Sequence, residues 1–110
     1  MTIHKNLVAG KWENLTLAEQ LGNIGSDIHR AIRWQQTDLT SHNQAIHRAL
    51  ELLDLTIQDA RWKTRLKELI RTREVLGDAI TGGKLYASSL QKLDDYFTHF
   101  AIAARIKKLT

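Results

Sequence analysis

Not one proline occurs among the 110 residues of this chain. Proline in a helix interior removes a hydrogen bond and clashes with the preceding turn, and prolines are frequent in turns. A chain without any is free to build long, unbroken helices joined by short connections. It also has no cysteine, which excludes disulfides, thiolate metal sites and a cysteine nucleophile, and agrees with a reducing compartment. Its length suits one domain rather than two. With 43% hydrophobic and 25% charged residues, the composition is that of a globular protein with a modest core, not of a disordered one.

Apolar residues recur at spacings of three and four in four stretches, the signature of helices with one buried face. The first stretch is Leu17, Leu21, Ile24, Ile28 and Ile32, opened by Thr16 and Glu19 in capping-box spacing. Leu15 and Gln20 do not complete a hydrophobic staple beside it. Polar residues Gln36 to Ser41 form the first connection, with Asp38, Thr40 or Ser41 as the next cap. The second stripe is Ile46, Leu50, Leu53 and Ile57. Leu52 and Leu55 make that helix apolar on more than one side, so it is expected to be buried twice or to meet another subunit. Asp59 is placed to cap a third helix carrying Trp62, Leu66, Leu69, Ile70, Leu76 and Ile80, stopped at Thr81, Gly82 and Gly83. Ser88 and Gln91 repeat the capping-box spacing before Leu90, Leu93, Phe97, Phe100 and Ala104, and the last helix ends in Arg105, Lys107 and Lys108.

Three connections of a few residues favour antiparallel neighbours. The expected fold is all-α: an antiparallel, up-down-up-down four-helix bundle spanning residues 1–110, led by an arm at about 1–14 that holds Trp12. Gly22 and Gly25 inside the first helix each cost roughly 1 kcal/mol against alanine, and close approach by a neighbouring helix is the simplest reason for them. No apolar run approaches the roughly 20 residues that span a bilayer, and residues 1–10 lack the apolar core of a signal peptide. The expectation is a cytoplasmic protein without a membrane partner.

The charge is +4, with a pI near 9.6. Six cations, Arg61, Lys63, Arg65, Lys67, Arg71 and Arg73, crowd the first half of the third helix. Like charges on adjacent helical rows repel, so they require either acidic neighbours, such as Glu68, Glu74, Asp54 and Asp59, or an anionic ligand such as nucleic-acid phosphate. Five histidines are present (His4, His29, His42, His47 and His99). Glu-x-x-His, His-x-x-x-His and His-Glu-x-x-His spacings are all absent, and Asp95 with His99 alone is a weak metal signal. Phosphate-loop and serine-nucleophile motifs are missing. Nothing points to a catalytic residue, a cofactor or a small-molecule substrate, and the expectation is a protein that is not an enzyme. Trp12 could anchor the leading arm on the bundle or on a neighbouring chain, and Trp12 and Trp34, flanking the first helix, mark a partner surface if exposed.

The segments 17–26 (LAEQLGNIGS), 48–56 (RALELLDLT) and 65–74 (RLKELIRTRE) resemble those of a family of small, mostly uncharacterised bacterial four-helix proteins, over most of residues 12–108. More loosely, length, helix number and charge are similar to the four-helix proteins encoded in ribosomal RNA intervening sequences and to the accessory variability determinant of diversity-generating retroelements. That resemblance implies a basic, ring-forming homo-oligomer, often a pentamer, linked to RNA, DNA or a reverse transcriptase. It carries over no binding site. The leading expectation is therefore a non-enzymatic oligomer that binds nucleic acid or a nucleic-acid enzyme through the basic face of the third helix; the alternative is a protein-interaction or assembly module without nucleic acid.

Overall fold

Thr16 and Glu19 close the expected capping box: the Thr16 hydroxyl accepts from the Glu19 amide at 3.1 Å, and the Glu19 carboxylate accepts from the Thr16 amide at 3.0 Å. From there the chain forms four α-helices, α1 (Leu17–Trp34), α2 (Leu39–Gln58), α3 (Leu66–Ile80) and α4 (Leu90–Leu109). Two 3-10 helices lie at Trp12–Asn14 and Ala60–Arg65. The computed structural model describes residues 11–82 and 89–109, with side chains as far as Ile106, and contains no strand among them.

The first connection is shorter than expected. Asp38 caps α2 through the Ser41 amide at 3.1 Å, so residues 39–41 belong to the helix. That bond holds the Asp38 carboxyl below its usual pKa. Gly82, at φ 110°, follows the end of α3 in a conformation that favours glycine. Gly83 and the proposed cap at Ser88 lie outside the described residues. Ser89 does the capping seen there, its hydroxyl accepting from the Lys92 amide at 3.2 Å.

α1 is the centre of the bundle, with its longest contacts to α2 and α4. Contacts between Gln20 and Asp59, Asp27 and Arg48, and Ala31 and His42 run in opposite senses along α1 and α2, so this pair is antiparallel. The Ala31 carbonyl can only accept, so His42 donates through Nδ1, at 2.7 Å. Asp27 is buried in this seam, and its carboxylate is met by Arg30 at 2.8 Å and Arg48 at 3.9 Å. The α1–α4 pair is antiparallel as well, through Gly22 with Ala101, Gly25 with Phe97, and His29 with Asp94.

The core is made by Leu21, Ile24 and Ile28 of α1, Leu52 and Leu53 of α2, Leu69 and Leu76 of α3, and Phe97 of α4. The surplus apolar side of α2 is used within the chain, since Leu50, Leu55 and Ile57 pack against this core. Trp12 is 3% exposed. It anchors the residues before α1 on the chain's own bundle and is no partner surface, whereas Trp34 is about two-fifths exposed.

The third stripe needs correction. Leu69, Thr72 and Leu76 are buried, but Leu66, Ile70 and Ile80 are about two-fifths exposed. α3 touches α2 and α4 along short lengths only, so one narrow row suffices to seat it and the residues flanking that row stay in water.

The close α1–α4 approach explains both glycines of α1. A Cβ at Gly25 would stand 2.6 Å from the Phe97 Cβ, and one at Gly22 would stand 3.1 Å from the Ala101 Cα. Gly25→Ala is expected to destabilise the protein by a net of about 1–2 kcal/mol, overpacking outweighing alanine's helix preference. Gly77→Ala has nothing within 4 Å and is expected to stabilise by about 0.5–1 kcal/mol. Urea unfolding of the two variants beside the parent chain reads these opposite signs.

Candidate interaction surfaces

The six cations do not share one α-helical face. Asp59 caps the 3-10 helix rather than α3: its Oδ1 accepts from the Arg61 amide at 3.0 Å, and its Oδ2 accepts from Arg61 Nη2 at 2.7 Å. Trp62 then takes non-helical angles, φ −104° and ψ 23°, and α-helical geometry resumes only at Leu66. Arg61, Lys63 and Arg65 therefore lie on the 3-10 segment, and Lys67, Arg71 and Arg73 on α3.

The reason for the kink is Gln20, fully buried on α1. Its Nε2 donates to the Trp12 carbonyl at 2.9 Å and lies 3.4 Å from Asp59 Oδ2, while its Oε1 accepts from Trp62 Nε1 at 3.0 Å. The indole must turn inward to reach that oxygen, and a tight 3-10 segment permits it. The Arg61 guanidinium then stacks on the outer face of Trp62, 4.5 Å from the ring centroid. Spacing marks Gln20 only as the residue that leaves the staple with Leu15 incomplete; a glutamine among Leu17, Leu21 and Ile24 beside the helix start is also the signal of a buried amide that needs partners. The indole nitrogen of Trp12 is buried without a hydrogen-bond partner among the described residues.

Arg61, Arg65 and Arg73 are held by acids of the same chain. Arg61 forks onto Asp59, Arg65 meets Glu68 at 2.9 Å, and Arg73 bridges to Asp54 of α2 at 2.7 Å. The hydrogen bonds from Arg61 hold the Asp59 carboxyl down at about 2. Arg65, and behind it the Tyr96 hydroxyl, lower Glu68 in the same way. Lys63 and Lys67 are exposed and have no acidic group within salt-bridge distance among the described residues. Arg71 lines a groove of about 450 Å³ between α3 and α4, with Val75, Leu93 and Tyr96. Burial there raises the Tyr96 hydroxyl above its ordinary pKa, and that hydroxyl donates to Glu68 Oε1 at 2.9 Å.

A second surface was not anticipated. On α4, Ile102 and Ile106 are 51% and 57% exposed. At 100° per residue they point away from Phe97, the fully buried residue of the same helix. The expected stripe of Leu90, Leu93 and Phe97 is buried on the other side, so α4 carries large apolar residues on its outer side as well. Asp95 and His99 stand on the same outer side and are exposed. No group of three or more metal-ligating side chains gathers anywhere among the described residues, and no described helix is long and apolar enough to cross a membrane.

The chain matches no family model, no curated protein and no solved structure. Two surfaces stand out among the described residues: a basic segment whose Arg61, Arg65 and Arg73 are paired within the chain, and an apolar pair, Ile102 and Ile106, facing water.

Asp59 gives the first surface a measurable pH dependence. Its folded pKa lies below the ordinary carboxylate value of 3.8, at about 2, so its contribution to stability is complete above the higher value and is lost as pH falls to the lower. Between about pH 4 and pH 2 the parent chain should lose stability more steeply than Asp59→Asn, which begins less stable at neutral pH. Thermal unfolding followed by circular dichroism across that range checks the difference in slope.

Proposed function

We propose that this chain is a non-enzymatic assembly module, a helical subunit whose task is to associate through the outer face of α4. The observation that carries the reading is the pair Ile102 and Ile106, more than half exposed and one helical turn apart. Single exposed apolar residues are ordinary on protein surfaces. Two large β-branched residues stacked at i and i+4 on a helix whose opposite side is already buried form the kind of row that a partner covers. The resemblance to oligomeric four-helix proteins agrees with this reading. Sedimentation velocity from 1 to several hundred micromolar is expected to show a mass rising above the 12.6 kDa monomer. Ile102→Glu with Ile106→Glu should stay monomeric while its helical circular dichroism is unchanged. A parent chain that is monomeric throughout removes the reading.

Lys63 and Lys67 favour a second reading, nucleic-acid binding. Surface ion pairs are worth only about 0–1 kcal/mol, so Arg65 and Arg73, whose carboxylate partners are exposed, can exchange them for phosphates at small cost. Contacts of this kind position a backbone without reading its sequence. Mobility shifts on RNA and DNA should then weaken steeply with salt, and Lys63→Glu with Lys67→Glu should abolish them. Absence of any shift at low salt eliminates this reading.

A further inference from the structure

We infer that the pocket beside Arg61 is a site for one unpaired, amino-bearing nucleobase stacked on the Arg61 guanidinium, so that the nucleic acid this chain takes is single-stranded. This rests on the nucleic-acid reading above and adds to it the kind of strand and the groups that hold its base.

Arg61 is built as a platform and not as a phosphate ligand. Its Nε donates to both Asp59 oxygens, at 3.1 and 3.2 Å, and its Nη2 donates to Oδ2 at 2.7 Å. The Asp59 side chain is only 13% exposed, so that edge of the guanidinium is committed. One flat face lies on the Trp62 indole, which Gln20 holds in turn. The Arg61 side chain is still 40% exposed. With one edge and one face covered, that exposure falls on the opposite face and its rim. A guanidinium held flat is a surface on which an unpaired base stacks, and it needs no ordering when the base arrives.

The space beside Arg61 suits such a group. A pocket of about 490 Å³ opens between the 3-10 helix, the end of α2 and the residues just before α1, within the size range of small-molecule sites. Arg61 lines it and Trp62 does not, so the pocket meets Arg61 on a side other than the one laid on the indole. Leu55, partly buried against the core, supplies an apolar wall. Glu13 and Gln58 line it as well; both are exposed, and neither makes a hydrogen bond among the described residues.

Charge and hydrogen bonding select the occupant. Glu13 and Asp59 both line the pocket with Arg61, and two carboxylates beside one cation disfavour a phosphate inside it. Lys63 stands outside it on the same 3-10 helix, exposed and without an acidic partner among the described residues, and is placed to meet the phosphates of the strand. The Glu13 carboxylate can only accept, whereas the Gln58 amide both donates and accepts. That pair fits a base edge bearing an amino group, as cytosine N4 donates to an acidic side chain. A base within a duplex has its faces stacked and its edge paired, so only an unpaired one can enter.

Fluorescence anisotropy at low salt tests this with three labelled single strands of about ten nucleotides: oligodeoxycytidine, oligodeoxyuridine, and an abasic strand that keeps the phosphates and lacks the bases. The parent chain is expected to bind the cytidine strand about tenfold more tightly than the abasic one, with the uridine strand between them. Arg61→Lys keeps the charge but loses the plane, and is expected to bind the cytidine and abasic strands alike. Glu13→Gln is expected to bring the cytidine and uridine strands together. Circular dichroism checks that both variants are helical; if Arg61→Lys is not, Glu13→Gln decides. A parent chain that binds the cytidine strand no better than the abasic or the uridine strand overturns the inference, while the nucleic-acid reading, carried by phosphate contacts, stands. An advantage over the abasic strand that survives Arg61→Lys, or a cytidine preference that survives Glu13→Gln, places the base on another surface and overturns the inference as well. No binding of any strand overturns both.

Discussion

The side-chain amide of Gln20, enclosed by Trp12, Asp59 and Trp62, positions everything at its end of the bundle. A buried amide left without partners costs about 1–3 kcal/mol for each group unmet, and Gln20 meets that demand from three residues on two stretches of chain. Its donor side ties the residues before α1 to the core, which seats Trp12. Its acceptor oxygen takes the Trp62 indole N–H, which forces the 3-10 segment after α2. Its approach to Asp59 adds to the Arg61 fork that fixes the same corner. The exposed side of Trp62 is then the platform on which Arg61 lies. The direction in which the basic segment faces water thus follows from one polar side chain in an otherwise apolar stripe.

How much of this could be read beforehand depended on the range of the interaction. The capping box at Thr16 and Glu19, the Asp38 cap and the α1 stripe are local, and spacing alone identifies them. The glycines of α1 were legible too, because their cost in a helix demands a close neighbour, although only the fold names Phe97 and Ala101. The break at Ala60–Arg65 was not legible, because it is imposed by Gln20, some forty residues earlier. The stripe assigned to α3 was too wide for a similar reason: spacing says that Leu66, Ile70 and Ile80 lie near a common side, not how far a neighbouring helix extends to cover them. The outer row of α4 had a sequence signal that went unused. Ile102 and Ile106 stand one turn apart and off the stripe of Phe97 and Phe100, which marks a second apolar side of that helix.

The same packing divides the molecule unequally. α1, α2 and α4 share the densest contacts, while α3 is joined to them by a narrow apolar row, the Arg73–Asp54 bridge and the Tyr96–Glu68 bond. Few buried contacts and exposed ion pairs characterise the parts of a protein that open first. The row of Ile102 and Ile106 belongs to a helix packed along its length against α1, whereas Lys67, Arg71 and Arg73 stand on the helix with the shorter contacts, and Arg61, Lys63 and Arg65 stand on the 3-10 segment that the bond of Trp62 to Gln20 secures.

The contact of Gly25 with Phe97 reaches beyond this one chain. Two positions seventy-two residues apart in sequence share a space that holds one side chain and no more. A lineage that enlarges residue 25 must shrink residue 97 in compensation or let the two helices drift apart, and the same bargain links residue 22 to residue 101. Paired changes at these sites would therefore record the closeness of two helices in the history of such sequences, even where nothing else in them remains alike.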